Sequence, residues 1–229
     1  MARKITPKKR RSSPKGSVVV IGLGRFGRAL ALELVDEDTE VLGIDENAEV
    51  VQALSGSLTH AVRADSTKED ALRQLGVHEF DRAVVAIGTD LEASILTASL
   101  LISFGIENVW AKAISEAHGR ILTQLGVHHV VYPEHDMGQR VAHLVRGRML
   151  DYIEFEDDFA MVKTNPPADI VGLPLADSGV RSRYGITVVA IKRAGQDFTY
   201  ATADTVVEAD DTIIVAGRTR ATERFSELQ

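Results

Sequence analysis

The run Val18-Val19-Val20-Ile21 ends at Gly22, and Gly22-Leu23-Gly24-Arg25-Phe26-Gly27 leads directly into an amphipathic stretch, Arg28 to Val35. Strand, tight turn and helix at this spacing build a phosphate site. Gly22 permits the turn, Gly24 lets phosphates approach bare backbone, and Gly27 allows the helix to pack closely on the strand. Unpaired N–H groups in the first helical turn, with the helix dipole behind them, complete an anion cradle. Arg25, inside the motif, is long enough to stretch over a phosphate chain; its simpler role is a solvent-facing arginine, which the dipole disfavours.

The next apolar run, Glu40-Val41-Leu42-Gly43-Ile44, ends in Asp45 with Glu46 beside it, eighteen residues from Gly27 to Asp45. An acid at that strand tip accepts hydrogen bonds from ribose hydroxyls. Its structural alternative is the N-cap of a helix over 47–54. Later strand tips add Asp65 and Ser66, then Gly88, then Lys112, then Glu134. Asp65 and Ser66 are candidates for an adenine edge, although Ser66 with Glu69 also spells a capping box. Gly88 admits ribose or phosphate, or is an ordinary strand-to-helix turn. Lys112 stands in an otherwise apolar strand, where a buried ammonium needs a partner, and phosphate is a natural one. His128, His129 and Glu134-His135-Asp136 offer metal-ligand types whose convergence spacing alone does not establish.

These tips require a scaffold that brings strand ends together. Short apolar runs at 17–22, 40–45, 60–63, 81–87, 108–113 and 129–132 alternate with helical patterns near 25–36, 47–54, 68–75, 91–104 and 115–125. Strict alternation with short loops specifies an α/β fold, a Rossmann-like doubly wound parallel sheet with the glycine motif at its switch point. Leu75-Gly76 and Leu125-Gly126 read as helix stops. Glu134 to Leu150 reads as a helix with Met137, Val141, Leu144, Val145 and Met149 along one stripe. Beyond it the pattern predicts a strand near 158–164, a helix over 174–182, strands at 185–193 and 211–216 and a helix over 219–227: a smaller α+β domain with a two-strand core. The boundaries expected are a basic disordered tail over 1–16, the Rossmann-like domain over 17–134, a bridging helix over 135–155 and the C-terminal domain over 156–229.

Composition narrows the chemistry. The 229 residues include no cysteine, which removes disulfides, thiolate metal sites and a cysteine nucleophile. No G-x-x-x-x-G-K-[ST] loop occurs, so ATP hydrolysis has no evident machinery. Seven basic residues and no acid fall within residues 1–17; with them set aside, the formal net charge of −7 becomes −14 for the remainder. The acidic body argues against a nucleic-acid partner, and the tail is either a solubilising leader or an electrostatic tether to an anionic surface. Apolar runs are too short for a membrane span, and no apolar core follows the basic stretch as in a secretory signal. The expectation is a soluble or at most peripheral protein with a nucleotide pocket and no evident reaction, which fits a sensor rather than an enzyme. An NAD(P)-dependent oxidoreductase is the alternative, resting on the glycine triad and Asp45.

Val20 to Gly27, Val41-Leu42-Gly43-Ile44-Asp45, Val84-Val85-Ala86-Ile87-Gly88, Trp110-Ala111-Lys112-Ala113, Pro133-Glu134-His135-Asp136-Met137-Gly138 and Arg183 to Lys192 together resemble the RCK (regulator of K+ conductance) cytosolic subunits of Ktr- and Trk-type bacterial potassium transport systems, the Ktr type above all. The resemblance implies a non-enzymatic, cytoplasmic gating subunit, peripheral to the inner face of the membrane through a potassium-transporting partner subunit. It implies homodimers assembled into an octameric ring. ATP would favour the active state and ADP the inactive one, with NAD(H) bound in some members. By the same resemblance Arg25 reaches the terminal phosphate, Asp45 holds ribose, and Glu134 helps bind a divalent cation, Mg²⁺ or Ca²⁺, near the nucleotides. Arg181 matches an arginine of a cyclic di-AMP site. Ala201-Thr202-Ala203 and Thr187 depart from the residues usual there, which sets that ligand apart from the others.

Overall fold

The computed structural model describes residues 16–146 and 149–228; the basic tail, apart from Gly16, lies outside the described residues. The chain divides into two compact units, Met1–Glu134 and His135–Gln229.

The first unit is a six-stranded parallel sheet of β1 (Val18–Ile21), β2 (Val41–Asp45), β3 (His60–Arg63), β4 (Arg82–Val85), β5 (Asn108–Lys112) and β6 (His129–Val131) in the order β3-β2-β1-β4-β5-β6. That order puts the switch point between β1 and β4, where the glycine motif leaves the sheet. Alternate residues of β1 point to opposite faces. Val18 and Val20 join Leu23, Ala31 and Leu54 in one core, with α1 (Arg25–Asp36) and α2 (Ala48–Leu54). Val19 and Ile21 join Leu72, Ala98, Leu101 and Leu122 in the other, with α3 (Glu69–Gln74), α4 (Leu91–Ser103) and α5 (Glu116–Gln124). Gly76 and Gly126 follow α3 and α5 with φ of +73° and +90°, the left-handed stop that their sequence context predicts.

Two caps offered as structural alternatives are not formed. Helix α2 is capped by Asn47, whose side chain accepts from Glu49 N at 2.8 Å, so Asp45 is not its cap. The Ser66–Glu69 capping box is absent because α3 begins two residues too late, at Glu69, with Lys68 in the cap position.

The second unit departs further from its sequence reading. Helix α6 spans Pro133–Arg146. The bridging helix expected over 135–155 does not continue to its end, because 151–155 is a strand. That strand, β7 (Asp151–Phe155), pairs antiparallel with β8 (Phe159–Thr164) through a hairpin whose Asp157 and Asp158 have positive φ. With β9 (Ile186–Lys192), β10 (Thr199–Tyr200) and β11 (Thr212–Arg218) these make a five-stranded antiparallel sheet, order β10-β9-β11-β8-β7, in place of the expected two-strand core. The helix expected over 174–182 is only α7 (Val180–Tyr184); Leu175 and Ala176 instead donate backbone hydrogen bonds to Thr205 and Ala203. Helix α8 (Thr219–Ser226) packs Phe225 into the core with Tyr152, Val162, Ile213 and Val215.

The other parity of the same strands is also apolar. Ile153 and Phe155 are each 49% exposed, Phe159 is 43% exposed and Tyr200 is 92% exposed, alongside half-buried Met161, Ile214 and Ala216. Antiparallel sheets that face water usually alternate apolar and polar residues, so this face is built to be covered. The stripe expected on α6 splits in the same way. Leu144 and Met149 belong to the core, whereas Met137, Val141 and Val145, one turn apart, are 53%, 45% and 79% exposed.

Candidate nucleotide site at the switch point

The glycine motif takes the form its spacing demands. Gly22 has φ +90°, and a Cβ there would lie 2.9 Å from Ile87 N. At Gly27 a Cβ would fall 1.9 Å from Gly22 O and 2.9 Å from Ala86 Cβ, so only hydrogen fits between α1 and the sheet. Gly24 is different: nothing lies within 4 Å of its missing side chain, and it opens onto a cavity of about 600 Å³. The loop is held from the side by Asp45, whose Oδ2 accepts from Leu23 N at 2.7 Å and whose Oδ1 accepts from Asn47 N at 2.8 Å. The carboxylate therefore shapes the phosphate loop, with acceptor capacity left for hydroxyls.

Gly22, Gly24, Arg25, Phe26, Asp45, Glu46, Asp65, Ser66, Gly88, Lys112 and Glu134 all line this cavity. Gly27 alone of the expected set does not; its role is packing. Ser66 lines the wall and is buried, its hydroxyl hydrogen-bonded to Thr97 Oγ1 at 2.8 Å, which braces the end of β3 against α4. Asp65 accepts from Thr67 Oγ1 at 2.6 Å and Thr67 N at 2.9 Å, and these bonds hold its carboxyl below the ordinary value of 3.8. The strand tip of Gly88 also supplies Asp90, which caps α4 by accepting from Ala93 N, whereas sequence reasoning missed the exposed apolar rim of Leu96 and Ile114. Asp90 opening an apolar helical run was a readable cap signal; no local pattern marks the rim.

Lys112 has within the chain the partner that its burial demands. Its side chain is 10% exposed, and its ammonium already has a partner, the Glu134 carboxylate, whose own side chain is 64% exposed. The Phe26 ring lies 5.9 Å from Nζ, within cation–π range. Gly88 makes room for the same group, since a Cβ there would stand 3.2 Å from Nζ. The hydrogen bond from Lys112 holds Glu134 below the ordinary 4.5, with a smaller contribution from the charge of Arg25. Both Asp65 and Glu134 are thus displaced away from neutrality and stay ionised at neutral pH.

The metal-ligand types do not converge. His128 Nδ1 accepts from Val109 N at 3.0 Å, His129 stacks on Trp110 at 4.0 Å, and His135 lies 3.3 Å from Asp136. Among the described residues no group of three or more His, Asp or Glu side chains is placed to hold an ion. Glu134 by itself supplies too few oxygens for a divalent cation.

In the second unit Arg181, Thr187 and Ala201-Thr202-Ala203 line one cavity of about 500 Å³ between the α7 end and β9. The structure therefore gathers the residues the sequence had associated with a second ligand.

A parallel sheet with its glycine motif and an anion-lined cavity at the switch point, followed by an antiparallel unit, defines a Rossmann-like domain of nucleotide-binding type joined to a smaller α+β domain. Residues 18–133 match the TrkA-N domain and residues 159–229 the TrkA-C domain. The chain belongs to the family of TrkA-N/TrkA-C proteins, the RCK subunits, that includes the Ktr system potassium uptake proteins. It is 36% identical to Ktr system potassium uptake protein C of Bacillus subtilis, over 93% of this chain and 97% of that protein. It is 35% identical to Ktr system potassium uptake protein A of the same organism, over 90% and 93%. Among solved structures, the GsuK RCK domain superposes with a TM-score of 0.64 at 17% identity over 97% of this chain, which spans about half (49%) of that one. The GsuK channel bound to NAD matches with a TM-score of 0.63 at 16% identity, over 96% of this chain and 40% of that one. No helix among the described residues is long and apolar enough to cross a membrane.

Proposed function

We propose that this chain is the cytosolic, non-enzymatic gating subunit of a membrane potassium-transporting system, and that the nucleotide in the switch-point cavity sets its conformation. The observation that carries the reading is the cavity itself. Bare backbone at Gly24, the Asp45 carboxylate and the Arg25 cation surround a space fit for a ribose and a phosphate chain. Four of the cavity's acids serve structural bonds: Asp45 on loop amides, Asp65 on Thr67, Asp90 on α4 and Glu134 on Lys112. ATP and ADP are the ligands proposed, with NAD(H) accommodated by the same fold. A divalent cation at Glu134 would draw its remaining oxygens from phosphate and from a second copy. Cyclic di-AMP at Arg181 is a ligand of lower rank, since Thr187 and Ala201–Ala203 give it few polar contacts. The decisive experiment is potassium flux through the reconstituted membrane subunit with this chain added. ATP should raise flux and ADP should lower it, while NADH should not be oxidised. Nucleotide-independent flux would overturn the reading.

Assembly follows from the two uncovered apolar surfaces, the α6 stripe and the outer face of the second sheet. We infer homodimers, built up into an octameric ring beneath the transporter. Light scattering at micromolar concentration should show a species larger than a monomer. Val141→Glu with Val145→Glu should shift it towards the monomer, since a charge in a buried apolar contact is costly. A monomeric wild type, with and without nucleotide, would refute the assembly.

A further inference from the structure

Seven of the residues from Arg3 to Lys15 are lysine or arginine, and none is acidic or aromatic. They precede residues 18–133, which match the TrkA-N domain. Residues 1–15 lie outside the described residues, but the structure shows where they join the fold. Gly16 and Ser17 lead into β1 on a groove of about 460 Å³ whose other walls are Asp81, Arg82, Glu107 and Asn108. Arg82 and Asn108 open β4 and β5, so the groove lies at the edge of the parallel sheet where strands begin. The nucleotide cavity lies at the opposite edge, where they end.

The fold offers little to answer these charges. The groove supplies two carboxylates against one guanidinium, and ion pairs made in water at such an edge add little and are screened by salt. The rest of the chain has a formal net charge of −14, but its pull is felt only within about one Debye length, ~8 Å at physiological salt. From Gly16 back to Arg3 the chain can reach about 45 Å at full extension. A bilayer containing anionic lipid presents a continuous sheet of negative charge, to which each Lys or Arg that comes near adds attraction. A nucleic acid is also polyanionic, but the segment has no aromatic side chain to stack on its bases.

We propose that the segment Arg3–Lys15 is an electrostatic tether to the anionic-lipid surface of the membrane, joined to the fold at the sheet edge opposite the nucleotide cavity. The choice of partner rests on the reading of the chain as a gating subunit beneath a membrane transporter, and it adds a contact with the bilayer itself. Because the tether and the cavity occupy opposite edges of one sheet, lipid and nucleotide bind without competing for a residue. In a homo-oligomer every copy contributes a tether, and contacts that are weak singly combine through their high effective concentration.

The test compares the full chain with a variant lacking residues 2–15 and a variant whose seven basic residues in that segment are all changed to glutamine. Each is sedimented with vesicles that hold no transporter. At ~0.1 M KCl the full chain should bind phosphatidylcholine vesicles containing about 30% phosphatidylglycerol at least about tenfold more strongly than phosphatidylcholine alone, and ~0.5 M KCl should abolish the preference. Both variants should lose that preference and keep the wild-type melting temperature and nucleotide affinity. Binding retained by either variant, or equal binding of the full chain to neutral vesicles, would overturn the tether. Tighter binding of the full chain to a duplex oligonucleotide at equal phosphate concentration would also overturn it, in favour of nucleic acid. A lower melting temperature on truncation would do the same, because the segment would then be closed on Asp81 and Glu107. Vesicle binding is read without a transporter, so its failure rejects the tether alone, whereas nucleotide-independent flux in the reconstituted system rejects the gating reading alone.

Discussion

Replacing Gly27 with alanine is expected to destabilise the N-terminal domain by about 3 kcal/mol or more, the upper end for overpacking a tight core, whereas Gly24→Ala leaves its stability nearly unchanged. The two glycines lie three residues apart in one motif, yet their surroundings are opposite. A methyl group on Gly27 would overlap Gly22 O at 1.9 Å and Ala86 Cβ at 2.9 Å, and a backbone oxygen within a strand-to-helix turn cannot step aside. On Gly24 the same methyl would meet nothing within 4 Å, and its φ of −65° and ψ of −168° are open to alanine. Gly27→Ala should therefore lower the melting temperature by about 10 °C or more. Gly24→Ala should melt with wild type and lose nucleotide affinity at least about tenfold, or roughly 1.4 kcal/mol, because the methyl fills the space of the phosphates. Differential scanning calorimetry and titration calorimetry on the two variants separate these effects. A folded Gly24→Ala variant that binds as tightly as wild type would sink the assignment of the cavity.

Arg25→Ala is expected to weaken ATP far more than ADP. The backbone amides of the Gly24–Gly27 turn can hold the inner phosphates of either nucleotide, so they do not discriminate. Arg25 opens α1 and lines the cavity, and its charge is felt by Glu134 across the same wall. Its planar fork can take two oxygens of one terminal phosphate. A charge-assisted contact made with ATP alone is worth about 1.5–3 kcal/mol, roughly ten- to a hundredfold in affinity. Titration of Arg25→Ala should show that loss for ATP with ADP binding nearly preserved, together with blunted ATP-stimulated flux. An equal loss for both nucleotides would mean that Arg25 only attracts anions, and discrimination would pass to Lys112.

Most of the first unit was legible because its signals are local. β-Branched runs separated by helical periodicity are short-range patterns, and all six parallel strands and five helices stand within a residue or two of their expected limits. The second unit was less legible. Asp151-Tyr152-Ile153-Glu154-Phe155 alternates like a strand, and Gly147, just past the end of α6, is a stop signal that the expected helix ran through. Its identity as β7 comes from pairing with β8 across a hairpin of acidic residues. The stretch 174–182 has helical composition, yet backbone hydrogen bonds from Leu175 and Ala176 to residues 205 and 203, more than twenty-five positions away, keep 175–177 in a turn ahead of α7.

The sequence by itself determined the glycine turn, the acid at the tip of β2, the strand order class and the family resemblance, since each depends on residue type at close spacing. Tertiary structure alone decided what those residues touch. Asp45 holds the phosphate loop because β1 and β2 lie side by side in register, not because of its neighbours in sequence. Ser66 bonds to Thr97, 31 residues on, and Lys112 meets the Glu134 carboxylate, a partner that its strand context does not name. The physical reason is the same in each case. A buried polar group takes the nearest partner that the packed fold offers, and that partner is set by strand pairing and helix placement, which no local spacing encodes.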